Sequence, residues 1–289
     1  MGMEESREGR IQIGLSGWGD HDELYEKGTK AGEKLREYTK HFPIIEMDNT
    51  FYGIPSPERM LKWSSQTPDG FGFIVKAYQG MTWHSRTKKP YSDTKTMFQA
   101  FKNSVEVLKK EGKLRTVLFQ YPPWFDCERK HVDILKVTRE WMDGFPVALE
   151  FRNRSWFAPE FKEKTLRFMQ EEGWIHSIAD EPQAGPGSIP LVLEPTQEHA
   201  TMIRLHGRDA AGWHSNGQEN WREVRYLYRY SREELEEWKE NLFKLLQSTR
   251  ECWLIFNNNS GGDAAANAKQ LLQLLDMETG PEPVRQLEW

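Results

Sequence analysis

With 289 residues, 29% of them charged and a net charge of -5, the chain is long enough for one large α/β domain and has no electrostatic bias toward phosphate backbones, so a nucleic-acid partner is unsupported. Two cysteines, Cys127 and Cys252, lack metal-ligand spacing and are too few for a disulfide framework, and no apolar stretch approaches the roughly 20 residues of a membrane span. The charged opening MGMEESREGR has no apolar region behind it and does not read as a signal peptide, so a reducing cytoplasm is the expected home.

Residues 1–10 read as a short polar extension and 11–289 as a single domain. Eight short apolar runs follow, at 11–15, 43–47, 71–75, 116–119, 147–151, 174–179, 201–205 and 253–256, and nearly every one hands over to a polar or charged residue. Segments with helical apolar spacing lie between most of them, near Leu35, Val105, Leu135 and Leu271. Ser56 and Pro57 supply a cap and a first-turn proline for ERMLKWSS, Pro159 is expected to open EFKEKTLRFMQEEG, and Ser231 with Glu234 forms a capping box before LEEWKENLFKLLQ. Two connections break the rhythm. After the sixth run, residues 181–200 are rich in proline and glycine without helical period, so a loop replaces helix six. After the seventh, residues 207–230 form a polar and aromatic insertion of the length expected for a lid or binding loop. The whole pattern predicts an α/β fold, a (β/α)8 TIM barrel with irregular connections after strands 6 and 7.

Parity then sorts the strand residues, because alternate side chains face the barrel interior and the surrounding helices. Val147, Leu149 and Phe151 share one side of the fifth run, leaving Ala148, Glu150 and Arg152 on the other; Met202, Arg204 and His206 oppose Ile203 and Leu205 in the seventh. Glu46 and Asp48 fall together in the second run, Gly72, Ile74 and Lys76 in the third, Thr116, Leu118 and Gln120 in the fourth. If the polar sides face inward, acids and bases from different strands meet in the carboxyl-terminal half of the barrel, where barrel active sites lie. A self-satisfied ion network, Glu46 and Glu150 paired with Arg152 and Arg204, accounts for the same residues without any catalysis; Glu46, the deeper, fits either reading equally.

Glu150, His206 and Glu46 are the candidate catalytic residues. His206 suits a general acid or base, with Gly207 letting a substrate approach the backbone. Arg152, Arg204 and Lys76 suit a phosphate or carboxylate, and Gln120, Tyr52, Trp156, Asn257 and Asn258 complete the substrate-binding set. Lys76 also has the chemistry of a Schiff-base lysine where desolvation lowers its pKa, but holding an anion is the simpler role. Asp48, Asp180, Glu150 and His206 have oxygen and nitrogen donors for a divalent metal, yet no dense ligand motif marks a metal site and no cofactor is predicted. The last loop, Asn257 to Asp263, delivers backbone N–H groups at a helix start. It reads equally as an anion site, as barrels use their last two strands for phosphate, and as a cap, with Ser260 or Asp263 satisfying the helix and the asparagines taking strained turn angles. Aromatic residues gather in the rim loops, at Trp18, Phe51, Tyr52, Trp83, Tyr121, Trp124, Trp156, Trp213 and Trp221, and as a set suggest a pocket with apolar walls over a charged floor.

The segments IEMDNTFYGIPS, FGFIVKA, LFQYPPWF, ALEFRNRSW, IRLHGR and FNNNSGGDAAANA, in that order, resemble the uncharacterised TIM-barrel family called YecE-like or YunF-like, a domain of unknown function. The resemblance runs from about residue 11 to residue 275. It implies a bacterial-type cytoplasmic TIM barrel with Glu150, Arg152, Trp156, Arg204, His206, Gly207, Asn257 and Asn258 along the rim, and it implies no reaction. Asp48 departs from the family pattern, which more often has asparagine there. The expected function is an enzyme acting on a small anionic or sugar-like molecule by acid-base chemistry: Arg152 and Arg204 hold its phosphate or carboxylate, and Glu150 with His206 moves protons. A glycoside hydrolase using Glu46 and Glu150 is the alternative within enzymes, and a non-catalytic ligand-binding or scaffold barrel is the alternative outside them. A small-molecule ligand is thus the expected partner; the sequence carries no signal for oligomeric state.

Overall fold

The structure, a computed structural model, describes residues 9–84, 90–210 and 226–277. Eight parallel strands close into a barrel in sequential order: β1 (Arg10–Ser16), β2 (Ile44–Met47), β3 (Gly72–Lys76), β4 (Leu114–Gln120), β5 (Val147–Glu150), β6 (Ile175–Asp180), β7 (Thr201–Leu205) and β8 (Glu251–Phe256). All eight apolar runs are strands. β8 pairs with β1 from Arg10↔Glu251 to Leu15↔Phe256, which closes the ring. Gly14 is required at the β1–β2 seam, where a Cβ would lie 2.1 Å from the Ile44 carbonyl oxygen.

The helices pack outside: α1 (Lys34–Tyr38), α2 (Pro57–Ser64), α3 (Thr94–Lys110), α4 (Arg129–Trp141), α5 (Lys162–Glu171), α6 (Arg232–Leu246) and α7 (Asp263–Leu274). Ser56 caps α2 by accepting from the Arg59 N–H, with Pro57 in the first turn, and the Ser231–Glu234 box closes the start of α6 in both directions. Pro159 does not open a helix. The Ala158 carbonyl accepts from both Phe161 and Lys162, so residues 159–161 form a turn and α5 starts at Lys162. Residues 181–200 carry no helix, as their proline and glycine content predicts. Of the insertion after β7, residues 211–225, with Trp213 and Trp221, lie outside the described residues.

Strand alternation divides the core in two. Ile11, Ile13, Leu15, Phe73, Val75, Phe119, Leu149 and Leu254 point outward into the main cluster under the helices. Ile44, Ile74, Leu118, Ala148, Met202, Trp253 and Ile255 point inward and fill the barrel. Two positions further along the same strands, toward their carboxyl ends, stand Glu46, Lys76, Gln120, Glu150 and Arg204. An apolar plug below and a charged layer above follow from a period of two, which keeps each strand's inward set inward. Among the described residues, no helix is long and apolar enough to cross a membrane.

Candidate functional site

The charged layer is built around the Arg204 guanidinium, which is 1% exposed. Its Nε and Nη2 donate to the two Glu46 carboxylate oxygens, each at 2.8 Å, and its Nη1 donates to Glu150 at 2.9 Å. Glu150 also accepts from Arg152 Nε at 2.8 Å, Gln120 Nε2 at 2.6 Å and Ser177 Oγ at 3.1 Å. Burial alone would raise its pKa, but Arg204 and Arg152 outweigh that and hold the carboxyl well below the usual range. Arg152 Nη1 reaches Glu181, whose other oxygen accepts from the Ile189 N–H at 2.8 Å. Glu181, the first residue after β6, completes the layer. It shares the parity of Ser177, which also holds Glu150, and that alternation carried one residue past β6 is the signal that marks it.

His206 is wedged among these groups and fully buried. Its Nε2 accepts from Arg152 Nη2 at 3.1 Å and Arg204 Nη1 at 3.3 Å, and its Nδ1 lies 2.9 Å from the Asn257 amide. With Nε2 accepting, the ring proton belongs on Nδ1, which requires the Asn257 amide to be turned so that its oxygen, in place of the Nδ2 that faces the ring, accepts it. Burial, then the two arginines, drive the imidazole pKa well below its ordinary value. His206 is thus a neutral linker with both nitrogens engaged, and Glu150 is an ionised carboxylate whose oxygens are already occupied. The expected proton-moving pair is locked. The two carboxylates of the glycosidase alternative, Glu46 and Glu150, are both fully buried on one guanidinium, and neither lines the cavity above.

That cavity, of about 590 Å³, opens at the carboxyl-terminal rim. Arg152, Arg204 and Gln120 form part of its floor, and its titratable wall groups include Asp48, Lys76 and His84. Lys76, at the end of β3, has no hydrogen bond or ion pair at its ammonium among the described residues; the head group lies 4.9 Å from the centre of the Phe51 ring. Lost hydration and Arg204 push its pKa down to about 8, despite Glu46, Glu150 and Asp48 nearby. Asp48, open to the cavity, shifts upward because the concave wall desolvates it and Glu46 repels its charge. His84, in the segment after β3, is held by Thr82 Oγ1 at 2.9 Å from Nδ1, and burial with Lys76 and Arg152 lowers it to about 4. No strand or helix period runs through that segment, so spacing does not mark His84.

The remaining expected residues divide. Tyr52, 63% exposed, and Asn257 line the cavity. Trp156 does not: it is 1% exposed, stacks on Phe151 at 4.1 Å and donates its indole N–H to the Phe125 carbonyl at 2.7 Å. Asn258 is also turned away, its amide donating to the Tyr228 carbonyl at 2.8 Å and to Asn267 at 3.0 Å. Tyr121 is buried against Phe125, Trp18 packs on Trp63, and Trp83 lines a separate apolar groove with Phe98 and Trp141. Among the described residues the aromatic wall reduces to Phe51, Tyr52 and Tyr226. Asp180 points outward to Arg208, at 2.9 Å, and the Trp238 indole, at 2.7 Å, so it does not join Asp48, Glu150 and His206 in a metal set. No group of three metal-ligating side chains occurs among the described residues.

The last loop takes neither expected cap. The N-cap of α7 is Gly262, left-handed at φ 76° with no side-chain cap bond, and none of the asparagines has positive φ. Asp263 leads the helix and Glu23 Oε2 stands 3.9 Å from where a Gly262 Cβ would be, a carboxylate setting that opposes an anion there.

A closed parallel barrel with an ion-paired layer beneath a rim cavity defines a (β/α)8 protein. Residues 12–287 match the family described as "Protein of unknown function DUF72", and the chain belongs to that family. The UPF0759 protein YunF of Bacillus subtilis (strain 168) is 53% identical over 279 residues, 96% of this chain and 99% of that protein. The UPF0759 protein YecE of Escherichia coli (strain K12) is 39% identical over 66 residues, 23% of each chain. Among solved structures, a DUF72 family protein of Enterococcus faecalis V583 matches with a TM-score of 0.88 and 37% identity, covering 96% of this chain and 99% of its own. Another from Thermotoga maritima MSB8 matches with a TM-score of 0.78 and 30% identity, covering 92% and 99%.

Proposed function

We propose that the protein is an enzyme that binds a small anionic or sugar-like molecule in the rim cavity and acts on it by acid-base chemistry. The proton-moving groups are Asp48, Lys76 and His84, which line the cavity, and Glu150 and His206 hold the floor arginines in place from beneath. The observation that carries this reading is the Lys76 ammonium. It is a half-buried cation at the cavity wall with no ion-pair partner among the described residues, whereas both arginines beside it are held by carboxylates. A desolvated charge left unpaired by its own protein is costly unless a ligand completes it.

Calorimetric titration with phosphate, malonate, glucose and glucose 6-phosphate tests it on the wild type and Lys76→Met. Anion binding by the wild type, weakened at least about tenfold in the variant, is the expected result for loss of a charged contact of about 1.5–3 kcal/mol. Equal anion binding by both proteins refutes the assignment. The saturated Glu46–Arg204–Glu150 cluster favours a second reading, a ligand-binding barrel without turnover. Affinity for a ligand that the protein leaves chemically unchanged would support it.

A further inference from the structure

Several features around Lys76 go beyond what an anion-holding lysine requires. Its backbone is held on both sides: Thr50 Oγ1 donates to its carbonyl, and the following Ala77 N–H donates to the Leu118 carbonyl at 2.9 Å. The side chain points into the barrel from the last position of β3, and Phe51 covers one side of the amine. Arg204 stands behind it, engaged in ion pairs on Glu46 and Glu150, and adds positive potential without taking the amine as a partner. Asp48 shares the cavity as a carboxyl shifted toward its protonated form.

We propose that Lys76 Nζ forms an imine with the aldehyde or ketone of a small carboxylated or phosphorylated substrate bound in the rim cavity. The inference rests on the cavity being the substrate site and deepens that reading by naming the reacting bond. The neutral amine attacks the carbonyl carbon, a C–N bond forms, and the nitrogen proton passes to the carbonyl oxygen to give a carbinolamine. Protonation of that hydroxyl from the Asp48 side lets it leave as water, and the nitrogen lone pair closes the C=N bond. No oxidant or reductant is consumed, and hydrolysis reverses the step. The iminium so formed withdraws electrons from the neighbouring carbon, the property needed to lose a proton or break a carbon–carbon bond there.

The charge state of the amine supports this. With a pKa of about 8, its neutral fraction at pH 7 exceeds that of an ordinary lysine near 10.4 by about two orders of magnitude. Glu46, Glu150, Asp48, Arg204 and His84 are the titratable and charged groups acting on it from the neighbouring elements.

The test is reductive trapping. The wild type, Lys76→Met and Lys76→Arg are incubated with glyoxylate or dihydroxyacetone phosphate, with and without sodium cyanoborohydride, and the adduct is located by peptide mass mapping. Malonate affinity is measured on the same samples. The expected result is hydride-dependent label at Lys76 in at least about tenfold excess over other lysines, half-maximal near the amine's own pKa. Lys76→Arg should retain malonate binding and lose the label, which separates imine formation from charge and holds even if Lys76→Met folds poorly. Label spread evenly over surface lysines, or malonate binding with no adduct at Lys76, overturns the imine and leaves the anion site standing. Loss of neither label nor malonate binding in the two variants overturns both.

Discussion

Replacing Arg204 by methionine removes the hub of the charged layer. Arg204 is 1% exposed and holds Glu46 by two hydrogen bonds and Glu150 by its remaining terminal nitrogen. Without it, Glu150 keeps Arg152, Gln120 and Ser177, but Glu46 is left with the Ser16 hydroxyl at 3.3 Å. The damage therefore falls on one buried, unpaired carboxylate, for which a loss of about 3–5 kcal/mol is expected. Unfolding entropy for 289 residues, at about 2 cal/mol/K per residue, is about 0.6 kcal/mol/K, so Tm should drop by about 5–8 °C. Urea denaturation and calorimetry of Arg204→Met measure this directly. The double variant Glu46→Gln/Arg204→Met separates causes: it should recover a large part of the loss, because the uncompensated charge has gone while the packing change remains. A single variant within about 1 kcal/mol of wild type, or a double variant worse than the single, refutes the account of Arg204 as a charge-balancing hub.

Imidazoles provide a pH test. His206 should stay neutral from pH 8 to 5 in a nitrogen-15 NMR titration, and an inflection near the ordinary value of about 6.5 would disprove its placement between two arginines. His84 and His176, each lowered to about 4, act in the same direction. The unfolded chain then binds more protons than the folded one, so stability should fall as pH drops below about 6.5, and a stability curve flat from pH 7 to 5 would contradict this. Trp156→Phe should cost about 1 kcal/mol for its hydrogen bond to Phe125 and leave malonate affinity unchanged, checked by urea denaturation and titration; altered affinity would return Trp156 to the pocket. Asn267→Ala strips partners from the Tyr230 N–H, the Tyr230 carbonyl and Asn258, and a loss of about 2–4 kcal/mol is expected in the same denaturation assay.

The strands were legible because a barrel strand is apolar over its length and ends where the polar rim begins, both local properties of the chain. Parity carried the interior layer for the same reason: Glu46, Lys76, Gln120, Glu150 and Arg204 sit on the inward side because a strand allows only two sides. The start of α5 is not legible in the sequence, because the turn before it depends on the Ala158 carbonyl, which Pro159 does not reveal. Trp156 and Asn258 looked like rim residues by position, yet each turns away to satisfy buried backbone or amide groups brought close by other parts of the chain.

Chemical roles were the part that spacing does not carry. The sequence by itself determined the barrel and which side chains share a strand face, since a period of two allows only two faces, and the structure then turned the polar-ended face inward, where acids meet bases at the carboxyl-terminal end. Only the tertiary structure decided which of those groups neutralise one another and which face the cavity. Arg204, Arg152 and Glu181 converge from different strands and a loop to lock Glu150 and His206, leaving the Lys76 ammonium without an ion pair among the described residues. Ionisation and reactivity depend on distances of about 3 Å between residues far apart in the chain, and those distances exist only once the barrel has closed.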